Sequence, residues 1–201
     1  MTNIYDCDLD KNQANYQPLT PLTFLERAAT VFPDHIAVIH GNLRISYAEF
    51  YARCRRFASA LALQGIGRGD TVSVMLANTP AMLEVHYAVP MCGAVLHSMN
   101  TRLDAKVIAF QLDHAECRLL VTDTAFSATI KEALELTSEK PLVVDYQDPV
   151  FPQAANLGGK VWPGRGCLRR NLGNLEIIRG RVKTRCKRRL RGRRIWSSGD
   201  G

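Results

Sequence analysis

The chain has 201 residues, of which 46% are hydrophobic and 22% are charged. This composition is ordinary for a globular protein and excludes a collagen-like or wholly disordered chain. No run approaches the roughly 18 apolar residues of a membrane-spanning helix, since residues 85–99 are interrupted by His86, Pro90 and His97. The acidic residues 1–10 lack the basic start and apolar core of a secretory signal, so we expect a cytoplasmic location.

The net charge of +7 is distributed unevenly along the chain. Residues 1–155 contain 12 Lys or Arg and 17 Asp or Glu, whereas residues 156–201 contain 14 basic and two acidic residues. Nine of the 14 glycines and both tryptophans also follow residue 155. We therefore expect an N-terminal α/β subdomain over residues 1–152 and an Arg/Gly-rich tail over residues 153–201, either disordered or frame-shifted.

Helix and strand patterns alternate through residues 1–152. Apolar residues at helical spacing predict helices over residues 22–32, 46–64, 80–91, from 104 onward, and 126–137. Short apolar runs predict strands over residues 36–40, 43–45, 71–77, 93–96, 118–122 and 141–146, the first two joined by a tight turn at residues 41–42. Alternating helices and short apolar strands are typical of an α/β fold with a mainly parallel sheet layered with helices.

Several helix ends carry local signals. Ser46 and Glu49 have the spacing of a capping box, and Gly65 suits the end of the same helix. Asn78 is the candidate cap of the next helix, with Pro80 in its first turn.

Two features that invite a binding function have simpler structural interpretations. Residues 65–70 are glycine-rich, but their spacing matches no phosphate loop, and they lead from a helix into a strand rather than the reverse. We predict a tight αβ turn there. Arg53, Arg55 and Arg56 lie opposite the apolar stripe of their helix, which indicates a solvated face.

No catalytic or metal-binding pattern stands out in residues 1–152. The six cysteines are scattered without a Cys-x-x-Cys pair, so we expect reduced thiols. The potential ligands in residues 113–117 straddle a helix end and a strand, which would scatter them. Asp104 and Asp113 are interpreted as a helix cap and a surface residue, not as a carboxylate pair.

Several segments together resemble one family. They are Pro18-Leu-Thr-Pro-Leu-Thr-Phe-Leu-Glu-Arg-Ala28, Ile45-Ser-Tyr-Ala-Glu-Phe50, Gly65-Ile-Gly-Arg-Gly-Asp-Thr-Val72, Met75-Leu-Ala-Asn-Thr-Pro80, Leu83-Glu-Val-His-Tyr87, Gly93-Ala-Val95, Asn100-Thr-Arg-Leu103, Ile108-Ala-Phe110, Leu112-Asp-His114 and Leu120-Val-Thr-Asp123. In this order and spacing, residues 16–151 resemble the N-terminal region of AMP-forming acyl-CoA synthetases, the acyl-adenylate-forming ligases. The later segments look most like the medium-chain and plant acyl-activating branch.

The resemblance implies a two-step reaction in fatty acid or other carboxylic acid metabolism. ATP and a carboxylate would give an acyl-adenylate, and coenzyme A would then take the acyl group, with magnesium assisting phosphoryl chemistry. The family's phosphate loop, adenine and ribose motifs and catalytic lysine do not occur in this sequence. The final residues 196–201 echo the start of the phosphate loop, but Asp200 stands where a hydroxyl belongs. We therefore assign no catalytic, cofactor-binding or metal residue, and we expect no adenylating activity from this chain.

The basic tail leaves three interpretations open. Ten of the 16 residues in 179–194 are basic, which would allow binding to nucleic acid or another polyanion by neutralising phosphates. Alternatively, the reading frame slipped near residues 152–160, since an Arg- and Gly-rich run without periodicity follows. An unrecognised variant of the family is the third. A non-catalytic scaffold that keeps the family fold is a further functional alternative.

Overall fold

Helices and strands alternate along the part of the chain that the computed structural model describes, which comprises Asn12, Tyr16, residues 20–150 and the backbone of Lys160–Val161. The helices are α1 (Pro21–Val31), α2 (Tyr47–Leu63), α3 (Pro80–Met91), α4 (Ala105–His114) and α5 (Ser127–Leu136). The strands are β1 (Ile36–His40), β2 (Leu43–Ser46), β3 (Thr71–Met75), β4 (Val95–Ser98), β5 (Cys117–Asp123), β6 (Leu142–Tyr146) and β7 (Lys160–Val161). A single 3₁₀ turn, Thr124–Phe126, precedes α5.

Five of these strands form one parallel sheet in the order β4-β3-β5-β6-β7. The chain runs from β3 outward to β4 and then returns past β3 to β5, so the strand order reverses between β3 and β5. Such a reversal is a topological switch point, and ligands of open α/β sheets bind outside the carboxyl ends of the strands there. The predicted α/β class with a mainly parallel sheet is confirmed.

The β1 and β2 strands form a separate antiparallel hairpin. Its turn contains Gly41, whose φ of +54° lies in the left-handed region that a glycine adopts without strain. The apolar side chains Val38 and Ile45 face Leu25 of α1 and Phe50 of α2 in a small core of their own. The hairpin and α1 therefore form a unit that packs beside the main sheet through α2.

The parallel sheet is covered on both faces. One face packs against α2 and α3, with Phe57, Val85 and Val74 among its buried residues. The other packs against α4 and α5, with Ile108 and Ile130 fully buried. Burying one such side chain stabilises the fold by about 1.5–3 kcal/mol, so two covered faces supply the main stabilisation of the unit.

Local signals place most helix ends correctly, with one exception. The Glu49 amide donates to Ser46 Oγ at 3.3 Å, as a capping residue requires, and the Val107 amide donates to the Asp104 carboxylate at 2.8 Å. The cap predicted at Asn78 is wrong, because Thr79 occupies the N-cap position, although α3 begins at Pro80 as predicted. Asn78 is exposed, whereas Thr79 is buried.

The strand predicted over residues 93–96 begins two residues later than expected. Gly93 has a φ of +78° and still belongs to the turn that ends α3, so the extended backbone starts at Val95. A glycine just after a helix is a signal of the helix end, as at Gly65, and the prediction did not apply it to Gly93.

The glycine-rich segment 65–70 is the tight αβ turn that its context predicted. The Gly67 amide donates to an Asp70 carboxylate oxygen at 2.8 Å, and Arg118 donates to the other oxygen at 2.9 Å. Burial acts to raise the pKa of Asp70, but the Arg118 guanidinium and the Gly67 amide outweigh it and lower that pKa. The turn lies at the amino end of the sheet, opposite the edge where ligands bind.

The arginines of α2 differ from one another in a way the sequence did not show. Arg55 is exposed, as a solvated face requires. The prediction is wrong for Arg53, whose Nε donates to Glu84 of α3 at 2.5 Å with both side chains largely buried. The Arg53–Glu84 pair thus joins α2 to α3 inside the first helical layer.

Replacing Arg53 by Met should lower the free energy of unfolding by about 3–5 kcal/mol, because a buried carboxylate loses its guanidinium partner. Arg56→Met, on the same helix, should change it by less than about 0.5 kcal/mol. The double change Arg53→Met with Glu84→Leu should recover most of the loss, since two apolar side chains then fill the space. Urea unfolding of the chain measures all three. Equal effects of the two single changes would contradict a specific role for the pair.

A second polar contact fastens α4 to the segment after α5. Asp113, near the end of α4, accepts hydrogen bonds from the Thr137 hydroxyl and from the amides of Glu139 at 3.0 Å and Ser138 at 3.2 Å. The Glu139 amide, followed by the Thr137 hydroxyl, lowers the pKa of Asp113 to about 2. The residue is indeed at the surface, as predicted, but it clamps two elements together.

This clamp should weaken in acid. The Asp113 carboxyl has a lower pKa in the folded chain than in the unfolded chain, so its contribution is complete above the unfolded value of about 4 and declines as the pH falls toward 2. Asp113→Asn should therefore lower the free energy of unfolding at pH 7. The difference in this free energy between the variant and the native chain should shrink as the pH falls from about 5 to 2. Thermal unfolding across this range measures it. A difference that stays constant with pH would exclude the ionised carboxylate as the cause.

Three of the six cysteines lie among the described residues. Cys54, Cys92 and Cys117 are free thiols there, as expected, whereas Cys7, Cys167 and Cys186 lie outside them. Within the same residues, no helix is both long enough and apolar enough to cross a membrane. Apart from the backbone of Lys160–Val161, the tail predicted over residues 153–201 also lies outside the described part.

Candidate functional site

Polar side chains collect where β3, β5 and β6 end. We call Thr79, Asp123, Thr124, Tyr146 and Asp148 the carboxyl edge. All five are buried, with 3–6% of their surface exposed. Because β5 lies between β3 and β6 in a parallel sheet, the residues that follow these three strands come together at one end. This end includes the switch point, so the carboxyl edge is the candidate functional site of the described chain.

Backbone geometry explains why these residues occupy the edge. The Asp123 carboxylate accepts the Ala125 amide at 2.9 Å and so caps the 3₁₀ turn. The Ser127 hydroxyl donates to the Thr124 carbonyl at 2.8 Å, which continues that turn into α5. These contacts stabilise the 3₁₀ turn that precedes α5, whose own N-cap residue, Phe126, makes no side-chain hydrogen bond.

Acidic side chains lie close together at the buried carboxyl edge, and their surroundings shift their pKa values. Burial raises the pKa of Asp123, the Ala125 amide opposes this shift, and the nearby Asp148 carboxylate adds to it. Burial raises the pKa of Tyr146 to about 12, with the Thr79 hydroxyl opposing and the carboxylates of Asp148, Glu84 and Asp123 adding to the shift. The edge is thus an environment that disfavours further negative charge.

Basic side chains reach this region from elements outside the sheet. His40 Nε2 at the end of β1 lies 2.8 Å from one Asp148 oxygen and 3.0 Å from the other, and it donates a hydrogen bond to that carboxylate. Arg53 pairs with Glu84, which is close enough to Tyr146 to influence its pKa. The Arg53 guanidinium therefore offsets part of the carboxylate charge.

The arrangement does not suit a phosphate or a metal ion. A phosphate site needs free amides or cations, whereas the carboxylates of Asp123 and Asp148 at this edge disfavour a further anion. Among the described residues, no group of three or more His, Cys, Asp or Glu side chains could hold a metal ion. The potential ligands in residues 113–117 are also kept apart, since Asp113 clamps the segment after α5 and Cys117 is buried in β5.

One surface groove of about 500 Å³ lies at the start of α4. Its lining residues are Arg102, Leu103, Asp104, Ala105, Lys106, Thr129 and Glu132. Basic and acidic side chains alternate around it, and the Asp104 carboxylate already caps the helix. The groove therefore has no charge pattern that selects one ligand.

The sequence interpretation assigned no site residues, and it missed the carboxyl edge. A signal was available, because Asp123-Thr124 and Tyr146-Gln147-Asp148 stand at the carboxyl ends of two apolar strand patterns. The pattern could not show that three strands bring their ends together, since strand order is a property of the folded sheet. It could also not show that His40, more than 100 residues away in sequence, reaches Asp148.

The fold and the edge define an open α/β unit with helices on both faces, a class of protein that binds ligands at the carboxyl ends of its strands. A profile of AMP-binding enzymes matches residues 25–164, and the chain therefore belongs to that family. The predicted resemblance is confirmed.

Individual relatives agree with the family. The acetate–CoA ligase of Humulus lupulus is 49% identical over 133 residues, which are 66% of this chain and 23% of that protein. The peroxisomal benzoate–CoA ligase of Arabidopsis thaliana is 47% identical over 155 residues, 74% of this chain and 27% of that protein. A benzoate–CoA ligase structure from Burkholderia xenovorans shares the fold, with a TM-score of 0.59 at 24% identity over 65% of this chain and 26% of that one.

These matches also show which part of the relatives this chain corresponds to. It spans about a quarter of the length of the curated relatives that it matches. The described sheet corresponds to the N-terminal part of the adenylate-forming ligase fold, and the most similar relatives include plant CoA ligases. This confirms the branch indicated by the later sequence segments.

At pH 7, the negative charge of Asp123 should lower the free energy of unfolding, whereas its hydrogen bond with the Ala125 amide should raise it. Because burial raises the pKa, ionisation at pH 7 destabilises the folded chain relative to a neutral acceptor. Asp123→Asn, which keeps an oxygen for the Ala125 amide, should leave the melting temperature unchanged or higher at pH 7. Asp123→Ala should lower stability by about 1 kcal/mol because the cap is lost. Thermal melts decide this, and a larger loss for Asn than for Ala would contradict the assignment.

Proposed function

We propose that this chain is the N-terminal portion of an ATP-dependent carboxylic acid–CoA ligase, which forms an acyl-adenylate and then an acyl-CoA. The observation that carries the proposal is the 47–49% identity, over 133 and 155 residues, to proteins that are named as CoA ligases. Membership of the AMP-binding family supports the adenylate as the intermediate. A carboxylic acid, ATP and coenzyme A are thus the proposed ligands of the complete enzyme.

The described residues do not fit ATP, magnesium or coenzyme A by themselves. The glycine turn at residues 65–70 lies at the amino end of the sheet, and its Gly67 amide is already bound by Asp70. The carboxyl edge repels phosphate, because Asp123 and Asp148 are buried there. We therefore derive no reaction step through these groups from residues 20–150.

The contribution proposed for this portion is structural support for the reacting parts of the ligase. Two covered sheet faces make a rigid unit, and its carboxyl edge is where a following domain or ligand would approach. We also propose that the 201 residues alone do not adenylate a carboxylate. The printed sequence contains no [Ser/Thr]-Ser-Gly-[Ser/Thr]-Thr-Gly-x-Pro-Lys-Gly loop, and Asp200 would repel phosphate in the segment that echoes it.

A chimera tests the proposed equivalence. Residues 20–150 replace the matching segment of the Humulus lupulus acetate–CoA ligase, and acetyl-CoA formation is measured. The chimera should keep kcat/KM within about tenfold of its parent, a cost of about 1.4 kcal/mol. The matched control carries Arg53→Met in the same segment and should lose activity together with thermal stability. A well-folded chimera without activity would contradict the proposal.

The 201-residue chain is assayed in parallel for carboxylate-dependent exchange of pyrophosphate into ATP. No exchange is expected, and clear exchange would contradict the proposed inactivity. Nucleic-acid binding through residues 179–194 is the alternative outcome, and it requires a sequence preference that survives near-physiological salt, because any polyanion binds a basic run at low salt. A partner captured by residues 20–150 with no ligase activity in the chimera would favour the scaffold alternative.

The finer assignments remain proposals. A fatty acid substrate is one choice within the carboxylic acids, whereas acetate and benzoate are named for the two relatives. The cytoplasm is our proposed location, and the name of the Arabidopsis thaliana relative gives the peroxisome for that protein.

A further inference from the structure

A short segment after β6 contacts the β1–β2 hairpin, and a pair of polar side chains contributes to this contact. We call residues 147–150 the strap. His40 Nε2 contacts both carboxylate oxygens of Asp148, at 2.8 and 3.0 Å, and these side chains are only 15% and 7% exposed. Since a carboxylate only accepts hydrogen bonds, Nε2 carries the proton and donates it in this contact.

Two further contacts fix the strap in the same place. The Val150 amide donates to Asp148 Oδ1 at 2.8 Å, which folds the strap around the carboxylate that His40 binds. The other contact is with the hairpin turn, where a Cβ added to Gly41 would lie 2.7 Å from a Val150 methyl group. The turn therefore packs directly on the strap, and a larger residue at position 41 would collide with it.

The strap is also part of the carboxyl edge. Asp148 is close enough to Asp123 and Tyr146 to raise the pKa of both. Among the described residues, the hairpin and the parallel sheet share no strand pairing. The side-chain contacts just described therefore contribute to attaching the strap to the hairpin.

We propose that His40 and Asp148 form a latch, which holds the strap against the hairpin and closes the carboxyl edge beside the switch point. Breaking the latch frees residues 147–150 while the parallel sheet stays folded. The edge then opens at the end of the sheet where a ligand or a following domain would approach. This inference concerns the conformation of the chain and does not depend on the proposed ligase function.

Hydrogen exchange on the full 201-residue chain tests the latch. His40→Ala should speed exchange of the Val150 amide by about tenfold or more, because a charge-assisted hydrogen bond is lost, while amides of β3 and β5 keep their native rates. His40→Gln keeps a donor and should restore part of the protection. His86→Ala is the matched control, since the His86 ring is exposed and its Nδ1 donates to the Met82 carbonyl within the same helix.

A second variant acts through the other contact between the hairpin and the strap, where Gly41 packs on Val150. Gly41→Ala places a methyl group against Val150 and should also speed exchange in the strap, even if His40→Ala proves too unstable to measure. If the strap amides exchange at their native rates in both His40→Ala and Gly41→Ala, the proposal is overturned. Equal acceleration in the strap and in β3 and β5 would overturn it as well, because the contacts would then support the whole fold rather than a local latch.

Discussion

The burial of β3 between two layers of helices is the constraint on which the rest of this structure depends. Every residue from Val72 to Met75 is at most 1% exposed. A parallel strand in this position needs helices on both faces, which α2 with α3 and α4 with α5 supply. The hydroxyl in the middle of the strand is tolerated because Ser73 Oγ and His97 Nδ1 of β4 lie 3.0 Å apart in a hydrogen bond.

The same constraint concentrates polar groups at the ends of the strands. Parallel strands send all their following loops to one edge, and the helices that start there need hydrogen-bond acceptors. Asp123 supplies one and so carries a charge into a buried site. His40 and Arg53 reach in from β1 and α2 to partner Asp148 and Glu84. The hairpin therefore supplies a hydrogen-bond donor to Asp148, and α2 supplies an ion-pair partner to Glu84.

Local patterns predicted the elements well because their signals lie within one turn of the chain. Ser46, Asp104 and Gly65 mark helix ends through contacts of three or four residues, and the structure shows them in those roles. The N-cap of α3 is Thr79 rather than Asn78, and β4 starts two residues later than predicted because Gly93, with a φ of +78°, still belongs to the turn that ends α3. Arg53 looked like its exposed neighbour Arg55, because nothing in the α2 pattern shows that Glu84 will lie opposite.

The sequence alone determined the α/β class, the order of helices and strands, the absence of a phosphate loop at residues 65–70, and the family to which the segments belong. These follow from short-range periodicity, from local hydrogen bonding, and from motifs in order. Only the tertiary structure decided the strand order β4-β3-β5-β6-β7, the meeting of Asp123, Tyr146 and Asp148 at one edge, and the bond from His40 across to Asp148. Contacts between residues far apart in sequence depend on how the layers pack, and no local pattern encodes that packing.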